Sequence, residues 1–214
     1  MNAPLPRDIT ACATAASEPL GLTHIFEPEI QLAEWRRPAD PLIADWLEAH
    51  LDDLGSGFRQ ALAPGQAPDL SRLPAGAGRT ALSEDLQLLA EMLGELLDAS
   101  TIGIRLEVVR QAMCPRLHVD RVGIRMLCTY RGPGTEWVDD AYVDRRFLGA
   151  GAHGQPDASS GLLLPGHRID SIAPFHVALL KGSLWQGNAG RGIVHRSPAV
   201  PQPPRVLVAL DAGW

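Results

Sequence analysis

At Ser100 the spacing of apolar residues changes period, and that change narrows the folds open to this chain. Before it, Leu86, Leu89, Ala90, Leu93, Leu96 and Leu97 recur at the three- and four-residue intervals of one helical face. After it, Ile102 to Met113 and Arg121 to Arg131 are strand-like runs rich in β-branched residues, broken by Cys114-Pro115. Shorter strand-like pieces follow at Phe175 to Lys181, Gly192 to His195 and Arg205 to Leu210. Gly182, Gly187-Asn188 and the Pro198 to Pro204 stretch supply the turns between them. Many short strands preceded by helices predict an α+β chain, a helical N-terminal region packed on a barrel or double-sheet jelly roll.

Within the N-terminal region, Asp40-Pro41 opens a helix, with Asp as N-cap and Pro in the first turn. Leu42, Ile43, Trp46, Leu47 and Leu51 follow at helical spacing, and the Asp52 to Gly57 stretch ends the element. A Pro/Gly/Ala-rich connector, Ala63 to Gly78, precedes a second helix that Ser83 is expected to cap, with Glu84 and Asp85 near its positive end. The expected organisation is a flexible tail over 1–20, a helical region over 21–100 and a jelly-roll domain over 101–214. Residues 149 to 161 are small and polar and predict a mobile loop within a long 139–174 insert. That insert has the makings of a lid over a site, or of a plain surface loop.

Charge narrows the function classes. The 214 residues carry a net charge of −6, and the basic ones are almost all scattered arginines, Lys181 being the only lysine. Binding to a phosphate backbone needs clustered Lys and Arg, so no nucleic-acid partner is expected. Three cysteines, Cys12, Cys114 and Cys128, make no complete disulfide framework, and reduced thiols in a cytoplasm are the simpler reading. Ile9-Thr10-Ala11-Cys12 looks like a lipoprotein cleavage box, but Pro4, Pro6, Arg7 and Asp8 stand where its apolar segment belongs. No run approaches the roughly 18 apolar residues of a membrane span, and a soluble cytoplasmic protein is expected.

The candidate chemistry lies in His118-Val119-Asp120 and, much later, His195 and Arg205. Alternate residues of an extended segment point to one side, so His118 and Asp120 can offer an imidazole and a carboxylate to one point. His195 would complete a two-histidine, one-carboxylate face, the ligand type that holds non-haem Fe(II) and leaves coordination positions open. Arg205 is placed to bind an acid beside such a metal. If the strand runs on without a bulge, Val122, Ile124, Met126, Cys128 and Tyr130 share the face of these ligands. Arg121, Arg125, Thr129 and Arg131 would then form a polar exterior.

With these segments in hand, residues 102 to 211 resemble the double-stranded β-helix of the Fe(II)/2-oxoglutarate-dependent dioxygenases. The resemblance rests on His118-x-Asp120, Thr129-Tyr130, the Gly132-Pro133-Gly134-Thr135-Glu136-Trp137 turn, Lys181-Gly182, and His195-Arg196-Ser197 followed by Arg205. It implies that His118, Asp120 and His195 bind iron and that Arg205 binds the far carboxylate of 2-oxoglutarate. It also implies a co-substrate contact near Tyr130, and a small molecule or protein side chain as substrate. The chain departs from the pattern in its long 139–174 insert and in Arg196 directly following a ligand. The whole chain also resembles an uncharacterised bacterial family with the core Cys-Pro-x-x-His-Val-Asp, a likeness that implies no activity.

Two other readings compete. Cys114 and Cys128 lie close in sequence to His118 and Asp120, and thiolates beside imidazole favour zinc, which would make a non-catalytic protein of metal homeostasis or regulation. Alternatively, a jelly roll without metal uses Arg205 and Tyr130 to recognise a small acid. His167 and His176 read as loop and structural residues. No Gly-x-Ser-x-Gly elbow supports a hydrolase.

Overall fold

Alternation along the strands after Ser100 sends their side chains to two different layers. In the computed structural model, which describes residues 12–188, 190–200 and 204–213, the elements run in the order β1 (Ala13–Ala16), β2 (Leu32–Trp35), α1 (Pro41–Ala49), β3 (Gly57–Leu62) and α2 (Ala77–Leu97). They continue with β4 (Thr101–Val109), β5 (Ile124–Arg131), β6 (Glu136–Val138), β7 (Ile169–Ser171), β8 (Val177–Lys181), β9 (Val194–Arg196) and β10 (Arg205–Gly213). Seven strands form one sheet in the order β1-β2-β8-β5-β10-β4-β3, and β7-β6-β9 form a second. All pairings are antiparallel except β1 with β2. The architecture is mixed α and β, with helices on one face of the large sheet and the small sheet on the other.

On the helix side, Val206, Val208 and Leu210 of β10 pack with Ile102, Ile104 and Leu106 of β4 and the leucine face of α2. Each fully buried leucine there, such as Leu89 or Leu93, contributes roughly 2 kcal/mol of apolar burial. On the other side, Leu127, Ala178, Leu180 and Ala209 meet Ile172 and Ile193 from around the small sheet. The candidate site lies in this second layer, between the sheets.

The helix at Pro41 forms as its sequence predicts: the Asp40 carboxylate accepts from the Leu42 and Ile43 amides, and Pro41 occupies the first turn. The second helix starts earlier than Ser83. Its N-cap is Gly76, without a side-chain cap. The small residues that read as connector are its first turn, because a Cβ at Gly78 would lie 2.2 Å from Trp46 Cβ, where α2 crosses α1. A bare backbone is what lets the two helices meet there.

The expected tail over 1–20 gives way at residue 12. Cys12 is buried, and Ala13–Ala16 pair in parallel with Leu32–Trp35. A 3₁₀ segment, Pro19–Phe26, then buries Leu22 and Ile25; residues 1–11, with most of the cleavage-box resemblance, lie outside the described residues. The expected tail supplies β1 and the region expected to be helical also supplies β2 and β3, so the change of period at Ser100 does not divide the sheet. Short strands at sheet edges carry too few residues to show a period.

The insert is folded rather than loose. Three 3₁₀ turns within 140–152 lead to a cluster in which Val143 and Leu162 pack against Leu117, Val138 and Val194. Arg145 ties it down, donating to Asp140 Oδ1 and to the Gly192 carbonyl at 2.6 Å. No helix among the described residues is long and apolar enough to cross a membrane.

Candidate metal centre

His118 and His195 meet across a two-way backbone bridge, each amide donating to the other's carbonyl at 2.9 Å. The pairing brings the imidazoles of two distant segments together, with ring centroids 4.5 Å apart. His118 Nδ1 donates to the Arg116 carbonyl at 2.9 Å and His195 Nδ1 to the Ile193 carbonyl at 3.1 Å. These bonds fix a proton on Nδ1 in both rings, so each neutral ring carries its lone pair on Nε2, where a cation can take the place of a proton shared with Asp120.

Both Nε2 atoms turn to one carboxylate. His118 Nε2 lies 3.4 Å from Asp120 Oδ1, and His195 Nε2 lies 3.4 Å from Asp120 Oδ2. One ligand atom from each residue falls within 4.8 Å of the other two, and no thiol joins the group among the described residues. Neighbouring ligands around an ion with bonds of about 2.1 Å stand roughly 3 Å apart, so a small adjustment admits a divalent ion. The donor set of two neutral imidazoles and one carboxylate suits Fe(II) and leaves one side open.

Burial works against the charge on Asp120, but hydrogen bonds from His118 and His195 and the charges of His195 and Arg125 outweigh it, holding the carboxyl well below the usual range. In turn, the hydrogen bond with Asp120 raises the basicity of His118. Arg125 donates to Asp120 Oδ2 at 2.6 Å and grips Asp211 through Nε and a terminal nitrogen at 2.7 and 2.9 Å. Ser183 bonds the Asp120 carbonyl through its amide at 2.9 Å, beside Gly182. A Cβ at Gly182 would lie 2.3 Å from the Val122 carbonyl oxygen and 2.7 Å from that of Asp120. Gly182→Ala is therefore expected to lose roughly 1–3 kcal/mol by overpacking, read as a lower thermal midpoint, and to lower metal occupancy.

Arg205 enters the same cavity, a small one of about 120 Å³. It is 1% exposed. Its guanidinium donates to Thr129 Oγ1 at 3.0 Å, Thr135 Oγ1 at 2.9 Å and Ser197 Oγ at 3.4 Å, while Nε has no partner. No carboxylate among the described residues comes within ion-pair distance of it. Burial pushes its pKa down to about 10, only partly opposed by the charge of Glu107. A buried cation held by neutral hydroxyls is costly unless an anion completes it. A larger cavity of about 720 Å³ beside β3 and residues 66–73 has no comparable metal-ligating group among the described residues.

The structure brings His118, Asp120, His195 and Arg205 together, and it separates Tyr130 from them. Tyr130 lies on the helix side of β5, its hydroxyl donating to Asp85 Oδ2 at 2.5 Å. The expected facing is reversed: Ile124, Met126, Cys128 and Tyr130 belong to the helix-side core. Arg125, Leu127 and Thr129, alternate with them, face the candidate ligands. The expectation assumed an unbroken strand, but residues 121–123 bend between Asp120 and Ile124 and the phase is lost. Sequence reading missed Arg125, Thr129, Thr135 and Ser197 as site residues. The alternation singled out the face of Arg125 and Thr129, and lacked only its direction.

The thiols do not gather into a zinc site. Cys128 is buried on the helix side, 3.6 Å from the Phe175 carbonyl. Cys114 is exposed and lines the cavity, outside the ligand group. Cys114→Ser and Cys128→Ser are expected to keep the metal. Burial raises the pKa of Cys12 to about 11 and of Cys128 to about 12. A disulfide reagent at neutral pH should therefore titrate only Cys114 in the folded chain and all three thiols after unfolding. Two fast thiols in the native protein would contradict this packing.

Compared with known proteins, residues 16–211 match the model of a family described as protein of unknown function, DUF1826. Among curated proteins, none matches. Similar solved structures include the dioxygenase for auxin oxidation 1 from Arabidopsis thaliana in a binary complex with 2-oxoglutarate, at 12% identity over 95% of this chain and 92% of that one, TM-score 0.49. HygX from Streptomyces hygroscopicus with iron bound is 13% identical over 92% of this chain and 86% of its own, TM-score 0.46. A Pseudomonas putida prolyl-4-hydroxylase is 14% identical over 90% and 92%, TM-score 0.44.

Proposed function

The chain belongs to this family of unknown function, and from the chemistry of its site we propose that it is an Fe(II)/2-oxoglutarate-dependent oxygenase built on a jelly-roll core. One observation carries the reading: a buried arginine without a carboxylate partner shares a small cavity with an open-sided pair of imidazoles and a carboxylate. The ligands account for a metal, and the orphaned Arg205 Nε accounts for an acid beside it. When bound, iron and 2-oxoglutarate would let dioxygen act as the oxidant, one oxygen atom ending in the succinate left as 2-oxoglutarate loses carbon dioxide and the other in a substrate C–H bond.

The chain's own part is positioning and electrostatics. His118 and His195, fixed by their Nδ1 bonds, and Asp120, fixed by Arg125 and Ser183, hold the ion on one side. Arg205 receives the distal carboxylate through its planar fork, while the hydroxyls of Thr129 and Thr135 both hold one terminal nitrogen of the guanidinium. Leu127, Leu207 and Ala209 present an apolar wall that limits water near the reacting atoms. Arg105, Glu107 and Met113 line the remainder of the cavity, where a small molecule or a protein side chain would enter. A reducing cytoplasm would keep both the exposed Cys114 and the iron in their reduced states.

The direct test is anaerobic. Protein loaded with Fe(II) is expected to develop a visible metal-to-ligand charge-transfer band on adding 2-oxoglutarate, and admission of oxygen should release succinate. Absence of both the band and the succinate would end the oxygenase assignment.

A further inference from the structure

The 139–174 segment contributes nothing to the cavity lining, yet one of its carboxylates reaches both histidine-bearing segments. Asp157 follows Pro156 in a turn and is 9% exposed. Its Oδ2 accepts from the amide of Leu117, the residue before His118, at 2.8 Å. Its Oδ1 lies 3.5 Å from Arg116 Nε, and its Oδ2 lies 3.8 Å from a terminal nitrogen of Arg196, the residue after His195.

The partners are themselves committed. The Arg116 carbonyl accepts a hydrogen bond from His118 Nδ1, and its guanidinium donates to the Gln155 carbonyl. Arg196 Nε is held from its other side by Glu136 Oε2 at 2.6 Å. The buried cluster of Leu117, Val138, Val143, Leu162 and Val194 closes around this point. Little water competes for the carboxylate there, and each bond is correspondingly stronger.

We propose that Asp157 is a positioning residue of the metal centre: it fixes the Arg116–His118 segment against the His195–Arg196 segment, so the insert acts as a clamp on the ligands. Asp157 touches neither metal nor substrate. Its effect passes through the Leu117 amide, the Arg116 carbonyl and the Arg196 side chain. The inference rests on metal binding at His118, Asp120 and His195 and is independent of 2-oxoglutarate.

The test titrates Co(II) into the full chain, followed through its visible d–d bands, with circular dichroism to verify folding. Asp157→Ala leaves the buried Leu117 amide unpaired, and its dissociation constant for Co(II) should rise about tenfold, with altered bands, as for other losses of outer support at metal sites. Asp157→Asn keeps an oxygen for that amide and is expected to stay within about threefold of wild type. Asp157→Glu keeps the charge but is longer by one methylene, and it should weaken binding and shift the bands. The proposal is overturned if folded Asp157→Ala binds Co(II) with wild-type affinity and spectrum. If that variant does not fold, wild-type behaviour of Asp157→Glu overturns it in the same way. Wild-type protein that takes up Co(II) but not 2-oxoglutarate sinks the oxygenase reading and leaves the clamp standing. Wild-type protein that takes up no Co(II) sinks both.

Discussion

His195→Ala is expected to empty the metal centre. Wild-type protein purified without chelators should carry one divalent ion per chain, and the variant almost none. His195 is 5% exposed, and its ring is aligned by the Ile193 carbonyl and faces Asp120. If binding through a full ligand set is worth roughly 10 kcal/mol, losing one of three protein ligands removes about 3 kcal/mol, or about two orders of magnitude in affinity. His118→Ala should behave alike, since its ring makes the matching contact to the other oxygen of Asp120. Asp120→Ala should do as much or more, because it also removes the one ligand charge that balances the ion. Elemental analysis of the purified variants decides this, and full occupancy in both histidine variants would remove the site.

Arg205→Met is expected to abolish 2-oxoglutarate binding without harming the fold. Charge-assisted hydrogen bonds are worth roughly 1.5–3 kcal/mol each, so losing a two-bond fork should weaken the charge-transfer titration by about 3 kcal/mol or more. Arg205→Lys should recover only part, because a point charge does not reproduce the planar fork. Stability should move the other way. Burial in the fold lowers the pKa of Arg205 to about 10. The fold therefore disfavours the charged form by roughly 3 kcal/mol. Below pH 10 that penalty is present in full, and it fades as pH rises above about 10 towards the ordinary arginine range. Replacing the cation by an apolar chain of similar volume should leave the ligand-free protein as stable as wild type or more so. With metal present, added 2-oxoglutarate should raise the thermal midpoint of wild type and not that of the variant. A variant that loses stability yet still binds the co-substrate would make Arg205 a structural residue.

Much of the site was legible because its residue types are specific. His118, Asp120, His195 and Arg205 were readable as candidate ligands and anion contact, and the structure places all four in one cavity. The helix at Pro41 was legible for a similar reason, since Asp40 and Pro41 act on their own neighbours within one turn. Ser83 misled because local capping preference was outweighed by the packing of Gly78 against Trp46, a contact between residues far apart in sequence.

Tyr130 and Thr129 mark the boundary most clearly. Alternation along β5 shows that the two residues face opposite ways, but a period of two has no sign. Which side holds the site depends on α2 covering the face of Met126 and Cys128 and on β9 approaching the other, and no residue within the strand records either. The same limit hid Arg125, which belongs to the site only because Asp120 and Asp211 flank it, and Asp157, whose role depends on a turn some forty residues from Leu117. The chain by itself determined the period of its elements, the cap of its first helix and the chemical types able to hold a metal and an acid, because these depend on residues within a turn or on side-chain chemistry alone. Tertiary structure decided which face became interior and which distant carboxylates and hydroxyls gathered there, because those outcomes depend on how separate layers pack.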